Sequence, residues 1–477
     1  MNAAAPRTTE RYLRTSPISA AAPMLALIAA LIFTQRRGLP LYVALAIGFV
    51  ASWLVASLLG APQRGLLGYA GRGVRRVLPI LAILACVGGM TAIWLASGTV
   101  PGLIYYGLSL VSPGIMIVAG FVLASVTSMV LGSSIGTLST IGIALMGVAR
   151  AAGAPLPLMA GALASGALLG DRTSPLSGTF HLTANMTETS VERTLRALLP
   201  SALPAWLLSL TAYVVLGGRW QGDAGAAGAA VAAPFLRSLA ANFDLSWVVL
   251  LPPVVVFALA AARRPVLQSL VAGLLAGAAI AVIVQHRPPL ALAGDLVAGF
   301  ALKSGVPSLD AIVSGGGLLH MVNTILLLVF AGAFSGVLEG MELLEALVRP
   351  LLAQIKRPQE LLVATMGLSC LAAATVANQV LSIILPARLL HGEYARRRIP
   401  SELMARMLAD SGSVVSPLIP WNLMAVISSA ALGLAPSAYG PYAVLMYAFP
   451  IVTLVWIYSR RWQAFPQPVT ESVTATH

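Results

Sequence analysis

Residues 410–422 read Asp-Ser-Gly-Ser-Val-Val-Ser-Pro-Leu-Ile-Pro-Trp-Asn, and residues 170–177 read Gly-Asp-Arg-Thr-Ser-Pro-Leu-Ser. In both, an acid and a Ser-Pro-Leu tripeptide interrupt strongly apolar sequence. Proline removes a backbone donor and stops a helix. Ser174-Pro175-Leu176 and Ser416-Pro417-Leu418 lie 416 − 174 = 242 residues apart. The same offset carries Gly132-Ser133-Ser134-Ile135-Gly136-Thr137 onto Ala374-Thr375-Val376-Ala377-Asn378-Gln379, a second pair of small polar interruptions. Two landmarks sharing one offset predict an internal repeat built around broken helices.

What surrounds those breaks decides the fold class. Of 477 residues, 58% are hydrophobic and only 9% are Asp, Glu, Lys or Arg, against about 25% charged in a soluble domain. Mean hydropathy is +0.88. So few charges cannot cover a soluble surface, so the chain reads as an all-α polytopic membrane protein. That excludes a cytosolic enzyme, a secreted domain and a nucleic-acid binder, although the net charge is +13. Cys86 and Cys370, both in apolar runs, provide no disulfide framework and no metal cluster.

Topology explains the positive charge. Arg7, Arg11 and Arg14 precede the first apolar run; Arg64, Arg72, Arg75 and Arg76 follow the second. Arg263–Arg264, then Arg349, Lys356 and Arg357, and finally Arg460–Arg461 flank later runs. The positive-inside rule assigns these clusters, and the N-terminus, to the cytoplasm. The stretches 99–112, 218–244 and 286–313 are expected to be external loops. Ile18–Phe33 has the look of a signal peptide, but Arg36–Arg37 and a second span, Leu41–Leu59, follow at once; it reads as a retained helix.

Further spans fall near 79–98, 113–131, 154–170, 197–217, 245–262, 265–285, 315–337, 361–377 and 441–458. A full crossing takes about 20 apolar residues, so the shorter stretches 132–150, 378–391 and 413–433 are expected to be half-helices or re-entrant hairpins. About 11–13 membrane elements result. The expected organisation is a first repeat over 1–217, a Gly- and Ala-rich external linker over 218–244, a second repeat over 245–460 and a tail over 461–477. An odd number of crossings before an external linker inverts the second repeat relative to the first. Inverted repeats with discontinuous helices at matching positions are the mark of a secondary transporter with its site near the bilayer midplane.

Broken helices free backbone carbonyls and amides where only a cavity or a ligand tolerates them. Carbonyl and Ser, Thr or Asn oxygens suit a small cation, and half-helix N-termini suit an anion. The polar residues at the interruptions are therefore the candidate site: Ser133, Thr137, Ser174, Thr375, Asn378, Gln379, Ser416 and Asn422. Of the 16 acids, only Asp171 and Asp410 stand beside both an apolar span and a Ser-Pro-Leu break. A carboxylate within the membrane is expensive, hence a functional candidate. The plainer alternative is an internal salt bridge, Asp171 with Arg172 or Asp410 with Arg406. No nucleophile–base pair or nucleotide loop suggests an enzyme, and no cofactor is expected.

Trp94-Leu-Ala-Ser-Gly-Thr-Val-Pro101, Ile104-Tyr-Tyr-Gly107, Gly132–Thr137, Gly170–Ser177, Leu381-Ser-Ile-Ile-Leu-Pro-Ala-Arg388 and Asp410–Asn422 together resemble the NhaC-type sodium/proton antiporter family of the ion-transporter superfamily. The resemblance runs from about Arg75 to Gly433. It implies Na+/H+ exchange, or related exchange as in malate/lactate members, by alternating access in the bacterial inner membrane. It also implies re-entrant hairpins and a homodimer. The chain departs from the family pattern twice: Gly178 stands where Asp follows Ser-Pro-Leu-Ser, and Asn378 stands where Asp commonly precedes Gln. Neither replacement titrates, which leaves Asp171 and Asp410, with His181 as a further proton carrier. Two readings follow. In the first, Na+ is held by Asn378, Thr375, Ser416, loop carbonyls and Asp410, and a proton displaces it. In the second, a Na+- or H+-coupled permease or antiporter carries a small organic acid or amino acid. Both put the polar pocket around Asp410.

Overall fold

A computed structural model of the chain describes residues 17–110, 115–343 and 355–459. Arg7, Arg11, Arg14, Arg349, Arg460, Arg461 and the tail over 461–477 lie outside the described residues. Within them every regular element is a helix, apart from one antiparallel bridge between Phe300 and Gly315. Six helical runs are long and apolar enough to cross a membrane, or up to nine if each sharply bent pair is one span. The multi-pass, all-helical architecture expected from composition is thus present.

The chain begins with α1 (Pro17–Arg37), α2 (Leu41–Leu58), α3 (Gln63–Ala96) and α4 (Thr99–Leu110). It continues through α5 (Met116–Leu131), the short α6 (Ser134–Thr137), a π turn over Leu138–Gly142 and α7 (Ile143–Ala151). Then come α8 (Leu156–Thr173), α9 (Gly178–Met186) and α10 (Val191–Asn242), followed by α11 (Leu251–Ala261), α12 (Val266–Ile283), α13 (Pro289–Ala298), α14 (Pro307–Ile312) and α15 (Val322–Gly340). The last part holds α16 (Pro358–Thr375), α17 (Gln379–Arg396), α18 (Ser401–Ala409), α19 (Gly412–Val415), a 3-10 turn over Ser416–Leu418, α20 (Leu423–Leu432), α21 (Pro436–Tyr439) and α22 (Val444–Tyr458).

Three stretches expected to be loops carry helix instead. Thr99–Leu110 is α4, 286–313 contains α13 and α14, and 218–242 continues α10. Alanine is the strongest helix former, and in the last stretch it outweighs the interspersed glycines. Likewise Arg64, Arg72, Arg75 and Arg76 belong to the first turns of α3, because nothing between Gln63 and Leu78 stops a helix and arginine propagates one well.

Small residues set how closely the helices approach. A Cβ on Gly73 of α3 would lie 1.9 Å from the Gly332 carbonyl oxygen of α15, and one on Gly336 would lie 2.3 Å from the Tyr69 carbonyl oxygen. Gly73→Ala is therefore expected to cost about 1–3 kcal/mol through overpacking. A thermal-unfolding midpoint in detergent checks it; an unchanged midpoint would mean that the two helices stand farther apart.

Two glycines seat the broken elements. Gly170 of α8 lies against Ser128 of α5, its amide donating to Ser128 Oγ at 3.1 Å. Gly412 of α19 lies against Ser369 of α16, its amide donating to Ser369 Oγ at 3.2 Å. A Cβ on either would fall 2.1 Å from the facing carbonyl oxygen. These contacts bring the Ser-Pro-Leu breaks alongside the ends of α5 and α16, which is what positions the site.

Candidate functional site

Helix α5 ends at Gly132, which adopts φ +63°, and a Cβ there would lie 2.5 Å from the Leu176 carbonyl carbon. Glycine is the residue that takes this conformation without strain. The break after α5 is therefore pressed against the Ser-Pro-Leu break after α8. Ser133 then caps α6, its Oγ accepting from the Gly136 amide at 3.1 Å. Helix α16 ends in the same way. Ala377 takes φ +55°, and Asn378 caps α17 by accepting from the Val380 amide at 2.8 Å.

Asp171 sits where these pieces meet. It is 7% exposed. Gln379, at the first turn of α17, donates from Nε2 to Asp171 Oδ2 at 3.1 Å and also to the Ser413 carbonyl at 3.1 Å. The Thr179 hydroxyl lies 3.4 Å from both carboxylate oxygens, and Ser177 Oγ lies 3.5 Å from Oδ1. The buried Ser134 hydroxyl makes no hydrogen bond among the described residues. Among the described residues no Arg, Lys or His is ion-paired with Asp171. The carboxylate borders a cavity of about 380 Å³ lined by Ser133, Gly136, Thr179, Arg263 and Arg264, among others. It is thus a buried acid, contacted by hydroxyl and amide groups and bordering that cavity.

Asp410 has the opposite surroundings. It is fully buried. Arg172 Nε donates to its Oδ1 at 2.5 Å, and Arg172 Nη2 completes a two-pronged ion pair. Thr453 Oγ1 donates to Oδ2 at 2.6 Å, and Arg406 Nε stands 3.5 Å from the same oxygen. Arg172 also donates from Nη2 to Ser201 Oγ at 2.7 Å and lies 4.2 Å above the Phe449 ring; Arg406 lies 3.9 Å above the Trp456 ring. This cluster knits α8, α10, α18 and α22. The expectation put the polar pocket around Asp410; the cavity of about 380 Å³ borders Asp171 instead, while Asp410 meets two guanidiniums and a hydroxyl. The attraction between oppositely charged groups in a dry interior decides the matter.

The remaining predicted residues divide between these surroundings. Gln379 joins Asp171. Asn378 and Thr375 line a second cavity of about 480 Å³, and Ser133 lines the first. The hydroxyls of Thr137, Thr375 and Ser416 each bond a carbonyl one turn back, at 2.8, 2.8 and 2.7 Å. Ser174 Oγ donates to the Met129 carbonyl at 2.8 Å. Asn422 caps α20 through the Met424 amide and reaches the Ala373 carbonyl at 2.8 Å. His181 is exposed, edge-on to Phe180, and touches neither carboxylate. Among the described residues Asn378, Ser416 and Asp410 share no hydrogen-bond partner.

Sequence reasoning missed Thr179, Ser413 and Thr453. Arginine in apolar sequence was the available signal for the ion-paired cluster, since a buried guanidinium demands a partner. It was read only as a local pairing, whereas the main pair spans 238 residues.

The sequence profile of the Na+/H+ antiporter family matches residues 166–459, which include Asp171, Gln379 and Asp410. The chain is 31% identical over 387 residues to the Na+/H+ antiporter NhaC of Alkalihalophilus pseudofirmus, covering 81% of this chain and 83% of that protein. It is 29% identical over 431 residues to the malate-2H+/Na+-lactate antiporter of Bacillus subtilis, covering 90% and 91%. It is also 31% identical over 399 residues to the arginine/ornithine antiporter ArcD of Halobacterium salinarum, covering 83% and 81%.

Proposed function

Because this chain belongs to the Na+/H+ antiporter family, we propose that it is a secondary antiporter that exchanges Na+ for H+ at Asp171, by alternating access, in a bacterial plasma membrane. The observation that carries this reading is a buried carboxylate, free of basic partners among the described residues, between two helix breaks. Such a group holds either a proton or a cation, and the two compete for it. Oxygens suited to a cation lie beside it: the hydroxyls of Thr179 and Ser177. Hard oxygen donors at a carboxylate are what a small cation needs to exchange its water shell.

The element pattern supports two repeats. Shifted by 242, α5 (116–131) covers 358–373, nearly α16; Gly170 falls on Gly412. Gly170 donates to Ser128 Oγ and Gly412 to Ser369 Oγ, a serine one position short of the same offset. An inverted arrangement of these repeats would set the breaks head to head near the midplane. With Arg263 and Arg264 on the cytoplasmic side by the positive-inside rule, the cavity at Asp171 opens inward and the N-terminus is cytoplasmic. A homodimer, common among such transporters in the superfamily it resembles, completes the reading.

Proteoliposomes carrying a proton gradient provide the test. Added Na+ is expected to discharge the gradient in the presence of the protein and to leave it intact in its absence. Failure to do so under an inward or an outward Na+ gradient would remove Na+/H+ exchange. A second reading draws on two relatives, a malate-2H+/Na+-lactate antiporter and an arginine/ornithine antiporter. Here the 480 Å³ cavity beside Asn378 has room for an organic solute.

A further inference from the structure

The larger of these two cavities, about 480 Å³, is bordered by Thr375, Val376, Asn378 and Val380 at the α16–α17 break. Its apolar wall is Leu381, Ile384 and Leu385 of α17. Arg388 follows on the same helical face, since positions 381, 384, 385 and 388 fall at steps of three and four. Opposite, α15 and the residues after it contribute Leu338, Glu339 and Glu342, and α3 contributes Arg76.

The charges of this lining do not cancel in place. Arg76 and Glu339 form a two-pronged pair, with Arg76 Nη2 donating to Glu339 Oε1 at 3.2 Å. That leaves Arg388 and Glu342, which have no ion pair or side-chain hydrogen bond among the described residues. An exposed cation and a half-buried anion, neither of them ion-paired among the described residues, therefore border a single cavity with an aliphatic wall.

We infer that this cavity is a binding site for a zwitterionic α-amino acid with an aliphatic side chain of about leucine size. The carboxylate is received by Arg388 in a two-pronged bond, the ammonium group by Glu342, and the side chain by Leu381, Ile384 and Leu385. A simple acid would leave Glu342 facing it unpaired, and a simple amine would leave Arg388 unpaired, so both are disfavoured. Asn378 lines this cavity, and Gln379 follows it in the first turn of α17. Gln379 bonds Asp171, so an occupant against this turn of α17 changes the surroundings of the carboxylate. The site thus rests on the transporter reading and names its organic solute.

The test uses the full-length protein in nanodiscs, with the unfolding midpoint read at constant pH. L-leucine is compared with 4-methylpentanoate, which lacks the amine, isopentylamine, which lacks the carboxylate, and NaCl. The expected result is stabilisation by L-leucine at millimolar concentration, at least tenfold weaker effects from the two truncated probes, and loss of the leucine effect in Arg388→Gln and Glu342→Gln. Stabilisation by 4-methylpentanoate equal to that by leucine would overturn the zwitterion assignment. No leucine effect on a protein that NaCl still stabilises would overturn the site while leaving the ion-exchange reading intact. The wild-type comparison stands even if a variant fails to fold. Loss of the NaCl effect together with absence of Na+-driven proton movement in proteoliposomes is the separate signature of failure of the transporter reading.

Discussion

An Asp171→Asn protein is expected to insert and fold normally, yet to move no protons in response to Na+. Asparagine has nearly the same shape as aspartate, and its carbonyl oxygen can accept the Gln379 Nε2 bond that now ends on Asp171 Oδ2 at 3.1 Å. Thr179 keeps an acceptor as well. What disappears is the charge that attracts a cation and the proton that leaves when the cation arrives. The readout is therefore divided: expression and unfolding midpoint in the absence of Na+ stay near wild type, while proton release falls to background. Na+-dependent stabilisation, about 2.7 kcal/mol at one hundred times the dissociation constant, is expected to vanish too. Retention of Na+-driven proton movement in this variant would exclude Asp171 as the exchanging group. Retention of Na+ stabilisation without proton movement would separate the cation site from the proton carrier.

The sequence made the fold class readable because composition alone excludes a soluble surface. It also disclosed the breaks, because Pro, Gly, Ser and Asn within apolar runs leave few other conformations open. The 242-residue offset carries Gly170 onto Gly412 but Ser128 onto Cys370, so the contacts Gly170–Ser128 and Gly412–Ser369 became visible only once the helices were packed. Helices such as Thr99–Leu110 were hidden for a different reason. A run containing Pro101, Gly102 and Gly107 has weak local helical signal, and packing of the element decides its state.

The site was half legible. Asp171 and Asp410 share the same kind of local sequence, each beside an apolar span, with an Arg one or four residues away and a Ser-Pro-Leu shortly after. Local sequence therefore cannot say which acid is neutralised. The answer depends on Arg172 lying next to Asp171 in the chain yet pointing to Asp410 across the fold. Successive residues on a helix diverge by about a quarter turn, so Arg172 and Asp171 face different neighbours. That divergence assigns one acid to an open polar cavity and the other to a dry cluster.

The same divergence makes Asp410→Asn the most damaging single substitution to the fold. It would leave Arg172 and Arg406, both essentially inaccessible to solvent, facing each other with no carboxylate between them. Removing one member of a buried ion pair typically costs about 3–5 kcal/mol, because the remaining charge stays buried and uncompensated; here two charges remain, so the upper end is expected. Arg172→Gln should be milder. Asp410 then keeps Thr453 Oγ1 at 2.6 Å and Arg406 Nε at 3.5 Å, so the net charge of the cluster falls to zero instead of rising to two. The order of unfolding midpoints in detergent is therefore wild type, then Arg172→Gln, then Asp410→Asn. The double variant Arg172→Gln/Asp410→Asn should sit above Asp410→Asn, since it removes one of the two orphaned guanidiniums. Exchange activity per folded molecule is the discriminating measurement. Where Asp410 serves the scaffold, Asp410→Asn protein that survives extraction retains Na+/H+ exchange; fully stable Asp410→Asn protein without exchange would return the ion to Asp410 and take it away from Asp171.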